Sequence, residues 1–302
     1  MILLTGKSGF IGSHFTECAA PGSVRAVVRE PIDEEHYLIN SLNRNTNWEG
    51  AFKDIDVVVH LAGIAHSSSL GISDYHRVNV EGTLKLAEQA ARHNVKRFVF
   101  VSSIGVNGKQ TYGSPFNSSS PASPHNDYSL SKYNAELELK KLARKTGLEL
   151  VIVRPTLVYG PNAPGSFGML QKLVSKFLYL PFGLANNHKD FISVQNLVDL
   201  LLHCSKHPNA AGHVFLASDG ETVSIKEFTN AIAYGLGKKV VQLPVPVSVM
   251  RLVGKLTGKS AMIEQLYGHL EVDSSNIKEV LGWTPPLTMK EAMATLRDSG
   301  AK

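Results

Sequence analysis

An apolar run, Met1-Ile2-Leu3-Leu4, leads directly into Thr5-Gly6-Lys7-Ser8-Gly9-Phe10-Ile11-Gly12, and a helical stretch follows from Ser13. A strand, a glycine turn and a helix in that order at the start of a chain demand a parallel partner strand beyond the helix. Glycine permits the tight turn and a close backbone approach to a pyrophosphate, while the free N–H groups of the helix start attract an anion. The spacing is Gly-x-x-Gly-x-x-Gly rather than the usual Gly-x-Gly-x-x-Gly, so its context carries more weight than the triplet itself.

The alternation continues down the chain. Val24-Arg25-Ala26-Val27-Val28 is a strand ending at Arg29, and Asp56-Val57-Val58-Val59-His60-Leu61-Ala62-Gly63 is a β-branched run ending in small residues. A helix is expected over about 78–93, then strands at 97–101 and 148–153 with a helix around Tyr128 between them. Continuous β-branched runs suit strands buried on both faces. The pattern predicts an α/β fold with a doubly wound parallel (Rossmann) sheet and a smaller, mostly helical C-terminal lobe. The expected division is a dinucleotide-binding part over 1–165 with a return segment near 190–217, and a substrate lobe over 166–189 and 218–302. An acid after the second strand would bind a ribose 2′-hydroxyl, whereas Arg29 suits a 2′-phosphate, which favours NADP(H) with NAD(H) possible.

Chemistry enters with Asp127-Tyr128-Ser129-Leu130-Ser131-Lys132 and with the Ser102-Ser103 pair, Ser103 lying 25 residues before Tyr128. Residues four apart on a helix share a face, so a phenol and an ammonium point into one cavity. A tyrosine titrates at about 10, and a nearby cation lowers that value toward the neutral range. The arrangement equips a site to move a proton on and off an oxygen while hydride leaves or joins its carbon. The polar connection 107–127 between Ser103 and Tyr128 reads as a flexible rim to that site.

At 43% hydrophobic residues the composition is that of an ordinary globular protein, and no apolar run reaches the length of a membrane span. Two cysteines, Cys18 and Cys204, make no disulfide scaffold, which with the absence of a signal sequence reads as cytoplasmic. The net charge of +5 is unclustered, so neither nucleic acid nor membrane is an expected partner. His203, Cys204 and His207 lie in an apolar helix ending at Pro208 and lack the full ligand set of a zinc site, so no metal is expected. Cys18 is expected to pack, and Trp283 to anchor the C-terminal lobe.

These motifs together resemble the extended short-chain dehydrogenases, the nucleotide-sugar epimerase/dehydratase family. The likeness also includes Asn79-Val80-Glu81-Gly82-Thr83, Arg154 to Pro161, Asp190-Phe191-Ile192-Ser193-Val194 and Leu281-Gly282-Trp283-Thr284-Pro285. It implies Ser103, Tyr128 and Lys132 as catalytic residues. For the cofactor it implies Gly6, Gly9, Phe10, Ile11, Gly12, Arg29, Leu61, Ala62, Gly63, Asn79, Ser102, Tyr128, Lys132 and Pro155. For a UDP-sugar substrate it implies Ser103, Tyr128, Asn162 and Lys189, and it implies a homodimer through the helices carrying Asn79–His93 and Tyr128–Lys145. The family pattern is broken at Ser41, where relatives carry an acid; at Leu157, where they carry Asn; and at Lys189, where they carry Arg. No carboxylate follows Ser103, which disfavours a 4,6-dehydratase. The expected activity is reduction of a UDP-4-keto-6-deoxy-hexosamine, of the UDP-N-acetylquinovosamine type used in surface polysaccharide. A UDP-glucose or UDP-N-acetylglucosamine 4-epimerase with retained NAD is the alternative. A non-catalytic NADP-sensing protein is a third reading, disfavoured by the intact Tyr128 and Lys132.

Overall fold

The computed structural model of the protein describes residues 1–30, 36–65 and 70–297. Seven strands form one sheet: β1 (Ile2–Thr5), β2 (Val24–Val28), β3 (Tyr37–Leu38), β4 (Val57–His60), β5 (Arg97–Val101), β6 (Glu149–Pro155) and β10 (Val214–Ala217). Their order is β10-β6-β5-β4-β1-β2-β3 and the pairings are parallel. Chain order reverses between β1 and β4, the crevice where open α/β sheets take their ligands.

The sheet is buried on both faces. On one, Phe15 of α1 (Phe10–Cys18) and the apolar stripe of α6 (Val194–Lys206) pack against Leu4, Val59, Val99 and Val151. On the other, Leu86 and Ala90 of α3 (Thr83–Arg92) and Ala135 and Leu139 of α4 (Asp127–Thr146) pack against Leu3, Val58, Phe98 and Phe100. This two-sided burial explains the unbroken apolar runs of the sequence. Arg97, inside β5, is neutralised by Glu149 at 2.6 Å and donates to the carbonyls of Cys204 and His207.

The C-terminal residues add a separate core. Phe167, Leu170 and Val174 of α5 (Gly165–Lys176) meet Phe228 and Ile232 of α7 (Ile225–Gly235) and Met289 and Met293 of α11 (Met289–Ala294). Short parallel pairs complete this half: β7 (Leu157–Tyr159) with β9 (Phe191–Ser193), and β8 (Tyr179–Leu180) with β11 (Val241–Gln242). Trp283 follows α10 (Ser275–Leu281) and is buried with Ile277 and Leu281 against the sheet-side core, its indole N–H donating to Asp199 at 2.6 Å.

Three expectations need correction. The helix expected over 78–93 is composite: α2 (Ile72–Tyr75), a π-helical stretch (His76–Gly82) and then α3. The wider π turn carries Asn79, and such turns recur at functional sites. The connection 107–127 is not a loose rim. Thr111 and Phe116 donate backbone N–H to His269 and Glu271, and Phe116 accepts from Asp273, so the segment is laced to the C-terminal half. Cys18 is exposed, not packed, because α1 buries Gly12 and Phe15 and ends at Cys18 as it leaves the core.

Candidate active site

The sequence candidates gather at the carboxyl ends of β1, β4, β5 and β6. Gly6 follows β1 with φ +81, a left-handed conformation that side chains resist. A Cβ there would stand 2.8 Å from the Ala62 nitrogen, and one on Gly12 would stand 2.0 Å from the Gly6 carbonyl oxygen. The turn is therefore closed to any larger residue at both positions. Gly9 donates its N–H to Gly6 at 3.0 Å and serves as the N-cap of α1. No side chain caps that helix and no acid occupies its first turn. The N–H groups of Phe10, Ile11 and Gly12 are thus left for an anion, and this cradle fits the diphosphate of a dinucleotide.

Leu61, Ala62 and Gly63 leave β4 alongside. A Cβ on Gly63 would fall 2.9 Å from Asn79 Oδ1 and 3.5 Å from Lys132 Nζ, which brings these three residues together. Asn79 is fixed from two sides: it accepts from the Ile64 N–H at 2.8 Å and donates to the Ile64 carbonyl and to Ser131 Oγ at 2.9 Å. Arg29 is exposed directly after β2. Pro155 ends β6, buried in register with Ala217.

The Tyr/Lys helix is aimed by its cap. Asn126 and Ser129 form a reciprocal capping box, which sets Tyr128 in the first turn of α4 and Lys132 one turn on. Lys132 is 4% exposed, donates to the Val101 carbonyl at 2.9 Å and lies 4.7 Å from the centre of the Phe100 ring. Burial lowers its pKa to about 8, with Glu136 acting in the opposite direction. Tyr128 is pushed up to about 12 by burial, against a hydrogen bond with Ser103 that lowers it. Lys132 thus binds the end of β5, and the Tyr128 phenol lies above its ordinary value rather than below it, contrary to the expectation of a cation-depressed tyrosine. Ser103 is the N-cap of a single 3-10 turn (Ile104–Val106) and accepts the Gly105 N–H at 3.1 Å, which holds its hydroxyl toward Tyr128.

Ser102 does not join them. Neighbouring residues at a strand end face opposite ways, and the Ser102 hydroxyl donates to Glu136 Oε1 at 2.5 Å beneath the site. Glu136 in turn holds Arg154, which donates to Oε1 at 2.9 Å, to Oε2 at 2.5 Å and to Asn107 at 3.0 Å. In the sequence this buried network leaves a single trace, the glutamate one turn beyond Lys132. His60, in the sequence merely the last residue of a strand, is enclosed between Thr5 at 2.6 Å and Thr83 at 2.8 Å, and burial holds it neutral with a pKa of about 3.

The two further residues expected at the substrate, Asn162 and Lys189, lie outside the Ser103, Tyr128 and Lys132 cluster. Asn162, at φ +63, lines a cleft of about 570 Å³ with Ala163, Pro164, Met169 and Leu236, a lining that includes none of Ser103, Tyr128 and Lys132. Lys189 donates its ammonium to the Gln265 carbonyl, and burial lowers it to about 8. His203 and His207 stack at 5.1 Å while Cys204 turns into the core, so the three do not converge on an ion. His188, His269 and Glu271 do converge, with ligand atoms within 4.8 Å of one another, a grouping invisible in the sequence.

Comparison with known proteins agrees with this architecture. Residues 2–218 match the model of the NAD dependent epimerase/dehydratase family. A UDP-glucose 4-epimerase of Vibrio cholerae is 43% identical over 302 aligned residues, covering 96% of this chain and 92% of that protein. Among solved structures, a UDP-glucose 4-epimerase from Thermotoga maritima with UDP-glucose superposes with a TM-score of 0.77 at 21% identity, covering 99% and 98% of the two chains. RMD from Pseudomonas aeruginosa, complexed with NADPH, gives a TM-score of 0.75 at 20% identity with both chains fully covered. The chain belongs to the NAD dependent epimerase/dehydratase family and is an enzyme of it.

Proposed function

We propose that the protein is an NAD(P)-dependent oxidoreductase acting at C4 of a UDP-hexose or UDP-N-acetylhexosamine. The observation that carries this reading is the convergence of Ser103, Tyr128 and Lys132 beside the glycine cradle. A bound nicotinamide supplies the hydride acceptor and donor. The chain's own groups handle the oxygen: the Ser103 hydroxyl holds it, and Tyr128 takes its proton on oxidation and returns it on reduction. Lys132 fixes the floor of the pocket and offers a cation to the cofactor ribose. No carboxylate follows Ser103 through Val106, so the proton abstraction and hydroxyl loss of a dehydratase lack their acid and base.

Two outcomes share this machinery. A 4-epimerase, oxidising and re-reducing C4 with a retained NAD, is supported by the Vibrio cholerae relative at 43% identity. A 4-ketoreductase consuming exchangeable NADPH is supported by Arg29 after β2. The protein is to be incubated with UDP-glucose, UDP-N-acetylglucosamine and a UDP-4-keto-6-deoxy-hexosamine, with assay of both sugar and nucleotide. Interconverted C4 epimers without net NADPH use establish the epimerase. Stoichiometric NADPH oxidation with the keto sugar establishes the reductase, and turnover of none of the three overturns the proposal.

The reductase reading makes Arg29 decisive. Its guanidinium hydrogen bonds to a 2′-phosphate are charge-assisted, worth roughly 1.5–3 kcal/mol, or about 10- to 150-fold in affinity. Arg29→Asp is expected to raise the Kd for NADPH by that factor and to leave NADH no weaker, as read by fluorescence titration. An unchanged NADPH affinity removes Arg29 from the site.

The two serines separate cleanly. Ser103→Ala removes the group facing Tyr128 and is expected to lower kcat at least about tenfold with little change in stability. Ser102→Ala orphans a hydrogen bond to Glu136 and is expected to cost about 1–3 kcal/mol of stability, with the smaller effect on kcat. The reverse ranking in kcat would put the register one residue out. For assembly, α4 leaves Leu130 and Leu137 exposed seven residues apart on one face, which supports pairing with a second copy through α3 and α4.

A further inference from the structure

The C-terminal half carries an apolar stripe that faces solvent. Helix α8 (Val247–Leu256) turns Val247 and Met250 toward the interior, and Gly254 lies so close to α9 (Ser260–Tyr267) that a Cβ would stand 2.7 Å from Ile263. Its other face presents Val249, Leu252, Val253 and Leu256, which are 45%, 57%, 45% and 78% exposed. Positions i, i+3, i+4 and i+7 make one continuous stripe. A helix on a purely water-facing surface shows the opposite pattern, apolar inward and charged outward. The strand pair leading into α8 continues the theme. Val241 and Tyr179 are partners in register, so their side chains share one face, and both are exposed.

The segments that form the stripe are rich in cations and poor in acids. Residues 228–263 contain no Asp or Glu but include Lys238, Lys239, Arg251, Lys255 and Lys259. Residues 150–189, which supply Tyr179, also contain no acid and include the exposed Lys172 and Lys176. Lys238 donates to the Ser175 carbonyl and ties the two segments together. Arg251 pairs with Glu264 beyond the acid-free stretch. A second copy of this face would bring cation to cation, which disfavours self-association here. The complement of exposed leucines among lysines is an apolar layer beneath negative headgroups.

We propose that α8 docks the protein onto an anionic lipid bilayer. The helix lies in the interface: Leu252 and Leu256 enter the acyl boundary while Lys255 and Lys259 reach the phosphates. This differs from spanning; no helix among the described residues is long and apolar enough to cross a membrane. It also stands independently of the sugar chemistry.

The test is co-sedimentation of the full chain with vesicles of phosphatidylglycerol mixed into phosphatidylcholine, against phosphatidylcholine alone. Binding is expected to the mixed vesicles, to weaken with added salt, and to be much lower on the neutral ones. The Leu252→Glu, Leu256→Glu double variant is expected to lose about tenfold or more in partitioning while keeping its thermal midpoint and its UDP-sugar turnover. Equal binding to both vesicles, or none to either, overturns the proposal. Binding that survives the double substitution shows adsorption by charge alone and also overturns it. A dimer that the same substitution dissolves shows that a protein surface covers the stripe instead, and this too overturns the proposal.

Discussion

Tyr128→Phe is expected to bind dinucleotide as the parent does and to turn over at least about 10²-fold more slowly, the lower end of the 10²–10⁴ that a positioned proton donor contributes. The substitution removes one oxygen and leaves the ring that fills the pocket, so binding and folding survive while the proton route is lost. The structure adds a pH signature. In the ligand-free site burial pushes Tyr128 up to about 12, which favours the phenol, the form that donates on reduction; taking a proton on oxidation requires its phenolate. Lys132 sits near 8 and loses its charge as pH rises past that value. The alkaline limb of kcat/KM, which reports the free enzyme, is therefore expected to fall near pH 8. Steady-state kinetics across pH 6–10 and a nucleotide titration of the variant make the check. Near-parental turnover in Tyr128→Phe removes it from the proton route.

Glu136→Ala is expected to be the most destabilising single change in the neighbourhood of the site. Glu136 is fully buried and holds the buried Arg154 at 2.5 Å while accepting from Ser102. Removing it strands a guanidinium in the core, at a cost of about 3–5 kcal/mol. Replacing both partners with leucine leaves no lone charge and is expected to cost clearly less than the single change. Urea unfolding midpoints of the parent, the single and the double variant decide it. A single variant within about 1 kcal/mol of the parent shows that Arg154 finds water on its own.

The sheet was legible because parallel strands buried on both faces leave an unmistakable record, the unbroken runs around Val58, Val99 and Val151. The glycine turn and the Tyr128–Lys132 pair were equally visible, since chemistry that needs four-residue spacing on a helix writes itself locally. What was hidden depends on pairs far apart in the chain. Ser102 and Glu136 are 34 residues apart and His60 and Thr83 are 23 apart, and no local pattern announces either contact. The lacing of Phe116 to Val272 misled for the same reason: a polar, proline-containing segment reads as loose until its distant partner is known. The lone pairing of Tyr128 with Lys132 misled in another way. Spacing placed both on one face but did not show that the Val101 carbonyl takes the ammonium.

Chemistry confined to C4 of the sugar leaves its own isotopic record. The decisive experiment runs the purified protein with UDP-glucose, UDP-N-acetylglucosamine, and the 4-keto-6-deoxy sugar plus NADPH as hydride donor, in D₂O, and reads the product by NMR. The expected product is altered only in its configuration or oxidation state at C4, with no solvent deuterium at carbon. Deuterium at C5 with loss of the C6 hydroxyl would contradict a C4-only enzyme, because that outcome requires the dehydrating acid and base that are missing beside Ser103.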